Sequence, residues 1–265
     1  MSLLLSHFGF TMPPFGRSTP RDALLRHRGF EEARKRLLFT VELESIALLL
    51  SEPGCGKSLL LGEVADELRQ QGFSIHYLAH TTLGPFGLVN VLSRKVGLVP
   101  RRSRGETALA LTEKLLTDDT RHLLVLDEAH KLPDNSLEDV RLLTIGDFDR
   151  KSPFVLLLAG QSNLDDRLAE PTHHALDQRI TTVARLLPLS AEETNQYLLT
   201  RLAAAGADRP VFEDGAVNTL FDATGGVPRR INNLATATLV VAAARNRRLV
   251  SAQDVKDAQI DRGRT

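Results

Sequence analysis

Apolar residues gather along this chain in short blocks that alternate with longer amphipathic stretches. The blocks at 46–50, 123–126 and 154–159 are continuously apolar, as expected of strands covered on both faces of a parallel sheet. Residues 74–79 read as a further strand and 182–187 as a short fifth. Helical periodicity fills the intervals at 29–44, 58–71 (stopped by Gly72), 85–96, 105–117 and 135–145. From Ser190 onward the pattern is helical alone, with segments near 190–205, 213–223, 228–245 and 251–260. Ser190-Ala191-Glu192-Glu193 has the spacing of a capping box, and Ser251 with Asp254 opens the last helix. The expected fold class is α/β, a five-stranded parallel sheet followed by a small C-terminal helical lid. Residues 1–45 are expected to be an N-terminal segment and helix packing on the core, 46–188 the α/β core, and 189–265 the lid.

The loop after the first strand carries chemistry. Ser51-Glu52-Pro53-Gly54-Cys55-Gly56-Lys57-Ser58 joins an apolar strand to a helix, the setting a phosphate-binding loop requires. Successive backbone N–H groups and the helix N-terminus favour anionic oxygens there. Gly54 and Gly56 let the backbone bend close around a phosphate. Lys57 is expected to reach the β/γ-phosphates of ATP, and the Ser58 hydroxyl to hold Mg²⁺. The expected nucleotide-binding set is Glu52, Pro53, Gly54, Cys55, Gly56, Lys57, Ser58 and Leu59. Ser51 stands where the pattern G-x-x-x-x-G-K-[ST] has its first glycine, and serine does not freely adopt positive φ, so the opening of the loop departs from the pattern. A chance Gly/Ser-rich turn is the alternative, which the strand–loop–helix setting disfavours.

A second strand, 121–126, ends in Asp127-Glu128-Ala129-His130. Ligands of open α/β sheets bind at the carboxyl ends of the strands. Asp127 is therefore expected to hold magnesium directly or through water, and Glu128 to orient and activate the attacking water. Such a pair could instead cap the next helix; beside a phosphate loop the catalytic reading is preferred. After the fourth strand, Gly160-Gln161-Ser162-Asn163 places Gln161 to sense the γ-phosphate and align water, with Asn163 expected to cap the following helix. Arg179, in Leu176-Asp177-Gln178-Arg179-Ile180, is a candidate finger for a neighbouring subunit's γ-phosphate, against the alternative of a salt bridge or helix-end contact. Gly225-Gly226-Val227-Pro228-Arg229 opens the long lid helix, where proline presets the first turn and fixes the projection of Arg229.

Bulk composition adds bounds. Hydrophobic residues make up 42% and charged residues 25% of 265 positions, and Lys plus Arg equals Asp plus Glu at 33 each. Balanced charge names no partner, so any nucleic-acid argument rests on local patches. Cys55 is the one cysteine, which excludes an internal disulfide and permits a reducing compartment. Apolar runs such as 155–159 and 238–244 are too short to span a membrane, and the start lacks the basic flank and apolar length of a signal peptide. The expected location is cytoplasmic.

These landmarks together resemble the AAA+ ATPases, and within them the ExeA-like and transposition-helper branch, to which TniB, TnsC and MuB belong. The resemblance runs from His7-Phe8-Gly9-Phe10 and Pro14-Phe15 through the phosphate loop, Asp127-Glu128-Ala129-His130, Gly160-Gln161, Gln178-Arg179-Ile180 with Pro188-Leu189-Ser190, to Gly225-Gly226-Val227-Pro228-Arg229. It implies an AAA+ P-loop NTPase core using ATP and Mg²⁺. It further implies that Gln161 is a first sensor, Arg179 a finger acting on the neighbour and Arg229 a second, lid-borne sensor. Ser51 and His130 depart from the family's commonest wording.

Within that branch, length and the lack of a membrane segment favour a compact regulator of DNA transposition. Such a protein would assemble with ATP on duplex DNA as a ring or helical filament and recruit a transposase, with a further target-selection protein as a candidate partner. The alternatives are an ExeA-like ATPase of a secretion or cell-envelope system, or a scaffold that does not bind DNA. The DNA reading rests on Arg94, Lys95, Arg101, Arg102 and Arg104, an acid-free stretch between two expected helices, suited to phosphate-backbone contact. A solvated basic turn is the competing reading. A second cluster, Arg245, Arg247 and Arg248, also complements a helix end. No aromatic residue interleaves either cluster, so base stacking is not expected.

Overall fold

The protein is described here as a computed structural model covering residues 3–16, 24–79, 87–145 and 152–263. Its chain divides into two compact units, Arg28–Pro53 with Lys57–Leu186, and Met1–His27 with Gly54–Gly56 and Leu187–Thr265.

The first unit is built on five strands, β1 (Ile46–Ser51), β2 (Ser74–Leu78), β3 (His122–Leu126), β4 (Val155–Gly160) and β5 (Ile180–Leu186), all parallel in the order β2-β3-β4-β1-β5. The three continuously apolar blocks are the three inner strands β1, β3 and β4. Leu48, Leu50, Leu124, Leu126, Leu156 and Leu158 point to one face, where they pack with Leu88, Leu92, Leu111, Leu137 and Val140. Alternate residues Leu49, Leu123 and Leu157 are just as buried, and the helices Arg28–Glu42 and Lys57–Gln70 lie against β1. Two covered faces remove any need for a polar alternation. The edge strand β2, by contrast, keeps the partly exposed pattern of Ser74, Ile75 and Tyr77.

This order sets the geometry of the site. Parallel strands put all carboxyl ends on one edge, and β4 lies between β1 and β3. The residues following β1, β4 and β3 are the phosphate loop, Gln161 and the Asp127-Glu128 pair, so they adjoin on that edge. Arg179 precedes β5, whose first residue Ile180 pairs with Ile46 at the opposite end of β1.

The second unit is a helical bundle of Ala191–Ala204, Asp214–Thr224, Pro228–Ala244 and Ala252–Asp261. Both expected capping boxes form: Ser190 Oγ accepts from Glu193 N–H and Ser251 Oγ from Asp254 N–H, with each acid bonding back to its cap. The N-terminal segment corrects the sequence-based division. Residues 1–45 do not act as one piece on the sheet: the helix Arg28–Glu42 packs on β5 and β1, whereas Phe8, Phe10 and Phe15 enter the bundle core beside Tyr197, Leu202 and Phe212. Buried Arg201 secures that segment by donating to the carbonyls of Pro14 and Gly16, both at 2.8 Å. Aromatic residues ahead of the first strand carry no periodicity that tells one core from another.

Gly226 is fixed by sterics. Its φ is +72°, and a Cβ there would lie 1.9 Å from the Leu189 carbonyl oxygen, whose own N–H donates to Gly226 O at 2.9 Å. Gly225, at φ +59°, has open space. Gly225→Ala is expected to cost the backbone penalty alone, about 1–2 kcal/mol. Gly226→Ala is expected to cost about 3 kcal/mol or more, since backbone must move as well. Urea unfolding of the two variants beside the unsubstituted chain measures the difference, and equal costs would contradict the steric account.

Candidate nucleotide site

Ser51 is the last residue of β1, paired with Leu186, and its Oγ donates to Glu52 O at 3.2 Å. Its backbone is extended, so this position needs no glycine and the departure from the pattern has no conformational consequence. The positions that do need glycine have it: Gly54 and Gly56 sit at φ +99° and +103°. Gly54 also lies under the start of the lid helix. Arg229 N–H donates to Gly54 O at 3.2 Å, and a Cβ on Gly54 would come 2.7 Å from Arg229 Cβ. Cys55 is buried, while Glu52, Pro53, Ser58 and Leu59 are exposed.

Lys57 opens the following helix, and its amine is pinched between two carboxylates. Nζ stands 2.8 Å from Glu128 Oε1 and 3.2 Å from Asp127 Oδ1. Asp127 is 3% exposed. Its Oδ2 accepts from Ser58 Oγ at 3.3 Å and from Tyr77 OH at 2.8 Å, and its Oδ1 from Glu128 N–H at 2.9 Å. The phosphate-loop cation, the Ser58 hydroxyl and both acidic side chains thus meet at one place. Hard oxygen donors from one serine and one carboxylate fit magnesium, which is usually held by one or two carboxylates together with phosphate oxygens and water.

Glu128 holds a left-handed backbone, φ 56° and ψ 33°, a conformation that costs a non-glycine residue about 1–3 kcal/mol and gathers at functional sites. Its Oε2 also meets Lys131 Nζ at 3.0 Å. Burial favours the neutral acid, but hydrogen bonds from Lys57 and Lys131 prevail and hold its pKa down at about 2. A glutamate so placed stays ionised, as an acceptor for the protons of a water must be. Tyr77 shifts the other way, to about 12, through burial and its bond to the Asp127 carboxylate. Lys131 and Tyr77 were not singled out in the sequence. Tyr77 was legible in principle, being one residue from the end of the strand beside β3.

Gln161 follows Gly160 and is half-buried. Gly160 is tight: a Cβ would lie 2.7 Å from Leu164 Cδ2 and 3.4 Å from His130 N, which brings the turn carrying Gln161 against the acidic turn. Asn163 is not the cap expected of it. Ser162 occupies the cap position without a side-chain bond, and Asn163 is already the first helical residue. Arg179 sits between the helix His174–Asp177 and β5, half-buried and away from the phosphate-loop edge of its own sheet. Arg229 is exposed on the first turn of Pro228–Ala244.

The basic stretch divides. Arg94 and Lys95 end the helix Gly87–Lys95 and are exposed, as are Arg101 and Arg102. Arg104 is engaged within the fold instead, pairing with buried Asp139 and donating to Asn135 O, so it is a structural tie rather than an open phosphate contact. The second cluster is likewise internal: Arg245 pairs with Asp254 and Asp257, and Arg247 with Asp254, whose carboxylate has no exposed surface. A buried carboxylate is costly without such partners.

Residues 41–168 match the sequence profile of the family described as AAA domain. The chain is 31% identical over 244 residues to general secretion pathway protein A of Aeromonas hydrophila, covering 90% of this chain and 44% of that protein. It therefore spans less than half the length of this curated relative. Among solved structures it resembles Cdc6p from Pyrobaculum aerophilum, at 20% identity and TM-score 0.73 over 94% of this chain and 70% of that one. Drosophila ORC bound to DNA matches at 18% identity and TM-score 0.70, over 100% and 67%. At these identities the likeness is one of fold, the five-stranded parallel sheet with flanking helices of the AAA+ P-loop NTPases. Among the described residues no helix is long and apolar enough to cross a membrane.

Proposed function

We propose that this chain, folded as an AAA+ P-loop NTPase, is a magnesium-dependent ATPase whose turnover is completed between copies of itself. The observation that carries the reading is the Lys57 amine held 2.8 and 3.2 Å from Glu128 and Asp127, next to the Ser58 hydroxyl and two left-handed loop glycines. Phosphate oxygens of ATP would compete with the carboxylates for Lys57, freeing Glu128 to take the proton of the attacking water. Magnesium, when bound by Ser58 and Asp127, would offset negative charge on the β/γ-phosphates. Gln161 would align the water, Arg229 would monitor nucleotide from the lid, and Arg179 would serve a neighbour's site. Steady-state ATP hydrolysis by the full chain, with and without Mg²⁺, tests the reading.

The setting of this ATPase has two readings. The 31% identity, over 90% of this chain, to a protein named for the general secretion pathway supports the ExeA-like alternative, which comes first. Exposed Arg94, Lys95, Arg101 and Arg102 support the second, a DNA-bound regulator of transposition that hands its assembled state to a transposase. Arg101→Glu with Arg102→Glu separates them, leaving the Arg104–Asp139 pair intact. On the transposition reading, ATP-dependent binding to duplex DNA falls steeply with salt in the unsubstituted chain. The double variant then binds all sequences more weakly with a shallower salt slope, each lost phosphate contact removing about 0.9 from it. A chain that ignores duplex DNA at low salt with ATP present excludes the transposition reading.

A further inference from the structure

Tyr77 lies on the edge strand β2, outside the phosphate-loop and acidic patterns. The residue is 40% exposed, so water could reach it, yet its hydroxyl donates to Asp127 Oδ2 at 2.8 Å. The sheet register explains the reach. Tyr77 pairs with Val125 on β3, Asp127 stands two positions beyond on the same face, and a long aromatic side chain spans such a diagonal. The Asp127 carboxylate is thereby fixed on both oxygens. Oδ1 faces Glu128 N–H and Lys57 Nζ, and Oδ2 accepts from Tyr77 and Ser58. A carboxylate offers about four lone-pair sites, so the tyrosine occupies one on Oδ2 and leaves the other directed toward Ser58 Oγ.

We propose that Tyr77 is a positioning residue of the magnesium site. Its hydroxyl holds one lone pair of Asp127 Oδ2 and so keeps the other turned toward Ser58 Oγ, the side on which magnesium would be held. The inference rests on the nucleotide reading above. Partners that orient a metal-binding carboxylate are commonly worth about 10–100-fold in metal affinity, and magnesium's demand for near-octahedral geometry makes it sensitive to such aim.

The chain supplies its own probe, having no tryptophan and only two tyrosines. The second, Tyr197, is buried in the helical bundle with its hydroxyl on Asn232 Oδ1. With ATP present, Tb³⁺ added to the full chain is expected to show tyrosine-sensitised emission that excess Mg²⁺ abolishes. Tyr77→Phe should remove most of that emission and Tyr197→Phe should retain it. Tyr77→Phe should also raise the Mg²⁺ concentration for half-maximal hydrolysis about tenfold, while binding of a fluorescent ATP analogue in EDTA stays unchanged. A merely structural role would move both binding measurements together. Emission that survives Tyr77→Phe, or half-saturation by Mg²⁺ within twofold of the unsubstituted chain, overturns the assignment of Tyr77 alone. A chain that shows neither ATP binding nor Mg²⁺-displaceable emission overturns it together with the nucleotide reading.

Discussion

Glu128→Gln is expected to bind ATP normally and to hydrolyse it about 10²–10⁴-fold more slowly, the span usually lost with a general base. The amide oxygen can still accept from Lys57, now 2.8 Å from Oε1, and the left-handed backbone is untouched, so the loop should keep its shape. What disappears is the negative charge that takes the proton of water. Lys57→Ala gives the contrasting result, loss of ATP binding itself, because the phosphates lose their cation. That variant also leaves Asp127 and Glu128 facing each other without the amine, and removing one partner from a buried charge cluster typically costs about 3–5 kcal/mol. Its melting temperature must therefore be measured beside its affinity. Phosphate release under single-turnover conditions, with binding of a fluorescent ATP analogue, distinguishes the two. Near-normal hydrolysis by Glu128→Gln would remove Glu128 from the chemistry.

The sequence disclosed what depends on local rules. Strands covered on both faces announce themselves as unbroken apolar runs, and capping boxes as fixed spacings, so β1, β3, β4 and the lid helices fall within a few residues of expectation. The site residues on the sheet's carboxyl edge were legible for the same reason, each following a recognisable strand. What stayed hidden depends on contacts between distant segments. Arg104 reads as a free cation until Asp139 is seen beside it, and Arg245 and Arg247 until buried Asp254 is. Phe8, Phe10 and Phe15 are apolar in sequence, and only the fold assigns them to the bundle rather than the sheet. Ser51 shows the converse. Its departure from a consensus looked consequential, but an extended strand end accepts any residue.

Arg179→Ala is expected to lower turnover by about 10³-fold or more, the usual worth of an arginine finger, with ATP affinity nearly unchanged. The proposed target is another subunit's phosphate, because the sheet holds Arg179 away from its own phosphate loop. Arg179 lies just before β5, whose first residue Ile180 pairs with Ile46, whereas the phosphate loop leaves β1 after Ser51. β1 is six residues long, so at about 3.3 Å per residue the two edges stand about 16 Å apart, beyond the reach of an arginine side chain. The segment is also braced. His173, just before the helix His174–Asp177, donates to Asp134 Oδ1 at 3.0 Å, and Arg167 joins that same carboxylate to His130 O. The acidic turn and the segment carrying Arg179 are thereby linked through Arg167, the Asp134 carboxylate and the buried His173 imidazole. Mixing Arg179→Ala with Lys57→Ala protein tests the direction of action. The first has an intact pocket and no finger, the second a finger and no competent pocket, so interfaces pairing the two should recover activity that neither shows alone. Mixtures that demonstrably co-assemble yet remain inactive would mean that Arg179 acts within its own subunit or only holds the fold together.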